Sequence, residues 1–232
     1  MCTTGAIKIN GSFVLFKNRD PVRPMEPNDK PNIFEGKVKR LIVSNNEGSY
    51  AGLNEYRIGV VCSFVEVLPG DSSEQARIFL NILPNVLETK TFNQTINNIK
   101  NTKEIFGANF IVANPKQCYF IEYLPNKKAI KEVKNEIIKT NHFSILEDPR
   151  KPEDLPWNFK RYKRANQLIK QVKAIEDIKK LLADHKDYPE YSICNHGNFA
   201  PTGSSYILDL KNKKILHCLG KPCEEKYKEY IL

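Results

Sequence analysis

The 232-residue chain lacks any apolar run near the roughly 18 residues that a membrane-crossing helix requires. It also lacks Gly/Ser-rich linkers, internal repeats and low-complexity tracts, so one domain over residues 1–232 is expected. The opening Met1-Cys2-Thr3-Thr4-Gly5-Ala6-Ile7-Lys8 has neither the basic segment nor the apolar core of a secretory leader. A cytoplasmic protein with no membrane partner is therefore expected. Six cysteines, at 2, 62, 118, 194, 218 and 223, include no Cys-x-x-Cys pair, and no histidine is read at a metal-ligand spacing to any of them. That pattern argues against a zinc site, and without a leader it argues against a disulfide framework. No metal and no cofactor are expected. Cys62 and Cys118 sit in apolar runs as packing thiols, and Cys194, Cys218 and Cys223 are assigned to packing as well.

What is present describes a globular chain. Apolar residues make up 41% and charged residues 27%, too much apolar content and too balanced a charge for disorder. The formal charge of +9 admits a nucleic-acid or acidic partner. Yet most of the cations are lysines scattered over the whole chain, and the densest cluster, Lys160-Arg161-Tyr162-Lys163-Arg164, lies on a predicted helix. A solvated surface explains them better, and no nucleic-acid partner is expected.

Local patterns predict the elements. Asn10-Gly11 between the alternating runs Ala6–Ile9 and Phe13–Lys17 predicts a tight hairpin, because a type I′ turn needs positive φ at both central residues. Pro21, Pro24, Pro27 and Pro31 predict a loop that joins no ladder. Strands follow at 40–44, 49–53 and 58–67, then helices at 72–89 (capped by Asp71 and broken or kinked at Pro84) and 91–100. Further strands are predicted at 109–113, 117–123, 130–133 and 136–140, helices at 158–172 and 175–185, and a closing hairpin at 204–210 and 214–219. Strands, helices, strands, helices and strands in that order argue for antiparallel sheets covered by helix layers.

Cys2 carries the chemistry. Once Met1 is trimmed, one residue offers a thiol and an α-amine, groups whose ordinary pKa values are about 8.5 and about 7.8. The amine can take the thiol proton, so nucleophile and base share a residue. The Asn-Gly turn folds Phe16-Lys17-Asn18-Arg19-Asp20 back beside Cys2, where Lys17, Asn18 and Asp20 can cluster. A carboxylate there would orient the ammonium, and a cation would favour the thiolate. His142 and His196 are weaker candidates, since the terminal amine already fills the role of base.

These residues resemble the cysteine N-terminal nucleophile (Ntn) hydrolases, the group of penicillin V acylase, bile salt hydrolase and acyl-CoA:6-aminopenicillanic acid acyltransferase. Lys17 stands where the family has Arg in its Arg-Asn-x-Asp strand end. Gly52-Leu53-Asn54-Glu55 and Ile58-Gly59-Val60-Val61 are similar to the segment entering a central strand, while Cys62-Ser63-Phe64 replaces the bile salt hydrolase Asn. Asn109 to Glu122, Thr140-Asn141-His142-Phe143, Ser192-Ile193-Cys194-Asn195-His196 and Gly220-Lys221-Pro222-Cys223-Glu224 resemble the acyltransferase branch. The Asn-Arg-Asp-Glu proteins share the Cys start, but Pro21 replaces their Glu.

The resemblance implies an α+β fold, a four-layer αββα sandwich. It implies a site of Cys2 as nucleophile, Asn141 as oxyanion donor, and Asp20, Arg161, Lys17 and Asn18 around them. A backbone N–H near Ser63 or Phe64 would supply the second oxyanion donor. Arg161 would hold Asp20 or a substrate carboxylate. The implied activity is cleavage of a small-molecule N-acyl amide through a Cys2 thioester, or N-acyl transfer at the same site. A basic, non-enzymatic binding module is the alternative of a different class.

Overall fold

Asn10 and Gly11 have φ values of +48° and +79°, so both central turn residues sit in the left-handed region that the Asn-Gly pair predicts. The turn sets β1 (Cys2–Ile9) against β2 (Ser12–Arg19) with Ile9 opposite Ser12 and Cys2 opposite Arg19. The computed structural model describes residues 1–21, 28–46, 48–66, 82–102, 106–124 and 126–232.

Around the hairpin grow two sheets. β3 (Lys30–Phe34), β4 (Arg40–Asn45), β5 (Gly48–Asn54), β6 (Gly59–Phe64), β7 (Ala108–Ala113), β8 (Cys118–Leu124) and β9 (Lys127–Glu132) pair in chain order as a seven-stranded sheet. The other sheet has the order β10-β1-β2-β11-β12-β13, adding β10 (Glu136–Lys139), β11 (Ser204–Asp209), β12 (Lys214–Leu219) and β13 (Lys228–Ile231). Every pairing is antiparallel. Short α1 (Leu83–Val86) and α2 (Phe92–Asn101) belong to one sheet's outer layer; α3 (Pro156–Ile169) and α4 (Ile175–Leu182) belong to the other's.

Alternation along β1 and β2 assigns the faces. Ala6, Phe13 and Leu15 enter a core shared with Leu41, Val61, Ile111 and Phe120 of the facing sheet. Ile7, Val14 and Phe16 pack instead with Ala165, Ile169, Ile178 and Leu181 of the helices. Ile42, Val60 and Phe110 meet Val86, Ile96 and Ile99 on the far side. The result is the expected αββα order of layers.

Two strands contradict the sequence reading. Lys30–Phe34 forms β3 although it contains Pro31; it lies at a sheet edge, where a missing N–H is tolerated. Lys228–Ile231, too charged to read as a strand, is the opposite kind of edge, paired only to β12. The predicted cap Asp71 and most of the predicted 72–89 helix fall outside the described residues. In the described part Pro84 occupies the first turn of α1, where its missing N–H leaves no helical bond unmade. Thr91 and Gln94 form a reciprocal capping box on α2.

Gly5 lies opposite Phe16, and the Phe16 ring crosses the space a Cβ would need: a Cβ built there meets Phe16 Cζ at 2.3 Å and Ile137 O at 2.9 Å. Gly5→Ala is expected to lower stability by about 2 kcal/mol through overpacking. Urea unfolding checks this. Adding Phe16→Leu should cost less in the Gly5→Ala background than in the wild type, and equal costs would refute the packing conflict.

Candidate active site

Strand register brings the first site residues together. β10 pairs with β1 so that Lys139 faces Thr4. Continuing that antiparallel register by two residues places Asn141 beside Cys2, and Cys2 N–H donates to Asn141 Oδ1 at 2.7 Å across 139 residues of chain. Asn141 Nδ2 donates to Phe64 O, also at 2.7 Å, which ties the end of one sheet to the end of the other. An amide NH₂ has two hydrogens, so one remains for another acceptor. Cys2 is 9% exposed.

Asn141 lies beyond the last residue of β10, so its position depends on side chains that bracket the backbone around it. Asn109 Nδ2 donates to Thr140 O and to His142 O, each at 3.0 Å. Ser63 Oγ donates to Thr140 O, and Asn158 Nδ2 donates to Asn141 O at 3.1 Å. Fully buried Glu122 receives Lys139 Nζ and Ser144 Oγ together with the N–H groups of Ser144, Ile145 and Leu146. Five donors on one carboxylate turn the chain sharply just after Asn141.

The second cluster lies on the helix side of Cys2. Buried residues Asn158, Arg161, Ala165 and Ile169 form one stripe of α3, so Arg161 points inward and is fully buried. Its Nη1 meets Asp20 Oδ2 at 2.7 Å and donates to Thr3 Oγ1 at 3.2 Å. Nη2 reaches Asn158 Oδ1 and Nε reaches Trp157 O. Of the two roles considered for Arg161, the geometry places it on Asp20, with the guanidinium committed to protein partners. Asp20 Oδ1 accepts from Thr202 Oγ1 at 2.8 Å.

Burial pushes the Asp20 carboxyl above its usual range, opposed by Arg161, the chain amine, Thr202 and Lys17. The Met1 amine is buried at the same strand end, donating to Asp20 O while Asp20 N–H donates to Met1 O at 2.8 Å. Burial lowers that amine's pKa, against the raising influence of Cys2 and Asp20. Burial thus weakens that amine's hold on its proton.

Lys17 and Asn18 part company because neighbours in a strand face opposite ways. Lys17 points to the inter-sheet face with Thr4 and donates to Tyr50 O at 3.2 Å. Asn18 points to the helix layer and donates to Leu182 O at 2.8 Å and Ile193 O at 3.0 Å. The expected clustering of Asn18 with Lys17 is thus not what the strand builds; Asn18 anchors the end of α4 and the segment behind it.

Asn109, Glu122, Asn158 and Thr202 were not singled out for roles by the sequence reading. Asn109 and Glu122 did carry a signal, being polar residues within otherwise apolar strand runs. Another unforeseen network lies beside Lys17: Arg19 Nη1 meets Asp29 Oδ1 at 3.1 Å, and Ser204, Tyr206 and His217 surround the same carboxylate. Burial alone would raise Asp29, but His217, Arg19, Tyr206 and Ser204 together lower it. Cys62 is a packing thiol, pushed up to about 11 by burial.

The expectation that no histidine keeps metal-ligand company with the cysteines needs correction. His185, Cys194, His196 and Cys223 converge, with one potential ligand atom from each lying within 4.8 Å of all the others. Cys194 and Cys223 are therefore not explained by packing alone. Two surface cavities among the described residues, of about 420 and 320 Å³, are lined by residues outside the site.

Comparisons with known proteins supply the family. The acyl-coenzyme A:6-aminopenicillanic acid acyl-transferase family matches residues 9–224. The chain belongs to this family, within the Ntn hydrolases. Penicillin V acylase from Agrobacterium tumefaciens is similar over 94% of this chain and 83% of its own, with TM-score 0.59 and 15% identity. A Caenorhabditis elegans N-acylethanolamine-hydrolyzing acid amidase ortholog gives 90% and 93%, 0.63 and 13%. A variant of conjugated bile acid hydrolase from Clostridium perfringens gives 100% and 97%, 0.57 and 12%. No curated protein sequence matches the chain. No described helix is long and apolar enough to cross a membrane.

His142 lies between the rings of Phe159 and Tyr162, its Nδ1 2.9 Å from Thr140 Oγ1. Burial lowers its pKa from 6.5 to about 4. The unfolded state therefore binds the proton first as pH falls, and the contribution of neutral His142 is complete above pH 6.5 and lost progressively toward pH 4. Between those values the wild type should lose about 3 kcal/mol more stability than His142→Asn. Urea midpoints across that range check this; parallel curves would refute it.

Proposed function

We propose that the chain, acting as a single domain over residues 1–232, hydrolyses a linear N-acyl amide through a thioester on Cys2. Removal of Met1 would leave the Cys2 amine at the same buried strand end, where desolvation disfavours the charged form. That amine accepts the thiol proton, and the sulfur attacks the acyl carbon. The carbonyl π pair moves onto oxygen, where the second Asn141 Nδ2 hydrogen is available to a developing oxyanion. When the C–N bond breaks, the leaving amine takes the proton held on the Cys2 ammonium. Water then attacks the thioester, giving up one proton to the Cys2 amine, and the sulfur leaves and recovers that proton. The observation that carries this reading is the Cys2–Asn141 contact at 2.7 Å, formed at the junction of both sheets.

Asp20 and Arg161 act as positioning residues in this scheme. Their contacts run to Thr3, Thr202 and the strand end, so they fix the direction in which Cys2 is presented. Lys17 supplies a cation on the nucleophile's face. Family membership supports a second reading: an amine in place of water would carry the acyl group away, making the protein an N-acyltransferase. A small N-acyl amide is the substrate class this reading takes, supported by the names of the similar penicillin V acylase, N-acylethanolamine-hydrolyzing acid amidase ortholog and conjugated bile acid hydrolase.

Intact-mass spectrometry of wild type and Cys2→Ala, after exposure to a panel of N-acyl amides, tests the proposal. The wild type should have lost Met1 and should either carry an acyl adduct or release the free acid. Cys2→Ala should keep its fold and lose at least about 10³-fold in kcat/KM. Met1 retained on soluble wild type, or equal turnover by Cys2→Ala, would overturn the mechanism. Adding an acceptor amine separates hydrolysis from transfer by the ratio of acid to new amide.

A further inference from the structure

The segment 183–203, between α4 and β11, has no regular secondary structure, and it carries His185, Cys194 and His196. Cys223 comes from a separate stretch, the connection between β12 and β13. Their side chains meet through the atoms best suited to hold a metal. Cys194 Sγ is 3.5 Å from Cys223 Sγ and 3.7 Å from His196 Nε2. Cys223 Sγ is 3.3 Å from His196 Nε2, and His185 Nε2 is 3.1 Å from it.

These separations match four of the six edges of a coordination tetrahedron, and the remaining two, from His185 to the sulfurs, lie within 4.8 Å. Zinc–sulfur bonds of about 2.3 Å and zinc–nitrogen bonds of about 2.0–2.1 Å require edges of roughly 3.8 Å between sulfurs, 3.5 Å between sulfur and nitrogen, and 3.3 Å between nitrogens. All four observed distances fall within about 0.3 Å of those edges. Hydrogen bonding accounts for the cluster poorly. His196 Nε2 has either one proton or one lone pair, yet three neighbours face it. A disulfide accounts for it no better, since the sulfurs stand well beyond the roughly 2.05 Å of an S–S bond and two imidazoles would converge on it unused.

We propose that His185, Cys194, His196 and Cys223 bind one structural Zn²⁺. Two thiolates and two neutral imidazoles are the donor set of a closed tetrahedral zinc site, with no position left for substrate. The thiolates cancel the charge of the ion. Glu224 Oε1 lies 3.6 Å from His196 Nδ1, close enough that a small shift would let an outer carboxylate hold the tautomer with Nε2 free for metal.

The site has a structural consequence. Cys194 N–H donates to Asp184 O, and Ile193 O accepts from Asn18. Asn195 N–H donates to Thr202 Oγ1 at 2.9 Å, and that hydroxyl donates to Asp20. Zinc would therefore pin the segment that delivers Thr202 to Asp20, using the β12–β13 turn as its second anchor. The proposal does not depend on the reaction the protein catalyses.

The test uses the full chain, stripped of metal by chelation under reducing conditions and titrated with Zn²⁺ against a colorimetric competitor. One equivalent should bind, and elemental analysis of protein expressed in zinc-containing medium should find about one zinc per chain. Co²⁺ should give the visible absorption of a tetrahedral site with thiolate charge transfer. Zinc should raise the Tm of the stripped protein by at least about 5 °C. Cys223→Ser and His185→Ala should each weaken zinc binding at least about tenfold, while Cys218→Ser, outside the cluster, retains it. Wild type that binds no zinc would overturn the proposal, whatever the variants do. So would a native Cys194–Cys223 disulfide, seen as a mass lower by about 2 Da, or zinc binding unchanged in both cluster variants.

Discussion

The Asp20–Arg161 ion pair is the constraint around which the rest of the site is arranged. Both groups are fully removed from water, which costs several kcal/mol per ion even after relaxation. Attraction at 2.7 Å offsets that only because the remaining donors and acceptors are also used: Thr202 on the carboxylate, and Thr3, Asn158 and the Trp157 carbonyl on the guanidinium. Such a pair need not add net stability over an apolar packing. Its effect is to make β2, α3, the 183–203 segment and Thr3 dependent on one another. Because Thr3 adjoins Cys2 on a strand, fixing Thr3 on the helix side fixes Cys2 on the other.

Asn141 is positioned by a different physical means. It lies past a strand end, where backbone groups lose their ladder partners and must be satisfied elsewhere. Asn109, Ser63 and Asn158 supply those partners from three separate elements, and Glu122 collects the next N–H groups. The side-chain amide of Asn141 is thereby left to bridge Cys2 and Phe64. Polar residues placed in apolar strands carry a desolvation cost. At Asn109 and Glu122 that cost is met by hydrogen bonds to the loop that presents Asn141.

Much of this was legible in the sequence where the signal is local. Asn10-Gly11 specified its turn, and from the turn the register opposite Cys2 follows by counting. The helix stripe of Asn158, Arg161 and Ala165 likewise follows from spacing, although burial of Arg161 does not; the basic run around it reads as a solvated surface. Asn18 was misplaced because closeness in sequence was taken for closeness in space, whereas strand pleat sends it to the opposite face from Lys17. Pro31 was read as excluding a strand because edge position is a property of the assembled sheet. The His185–Cys223 cluster escaped for the same reason, as its ligands come from separated stretches that meet only after β11 and β12 pair.

The overall charge of +9 says little about the site, whereas the few buried ions around Cys2 say more. Lys17 and Arg19 lie on the inter-sheet face and Arg161 on the helix side, three cations against the carboxylates of Asp20 and Asp29. Among the described residues, these five fixed charges leave one positive charge in excess. In a region of low dielectric that excess acts strongly over short distances. In the proposed chemistry a negative charge rests on sulfur before attack and on oxygen in the tetrahedral intermediate. Each of those anions enters surroundings already biased to receive it, and the neutral amide that precedes them gains far less. This difference between ground and transition states is what lowers a barrier. Lys17, held by Tyr50 O and by its strand, contributes to that bias through its charge and position alone, which a lysine supplies without the forked geometry of an arginine.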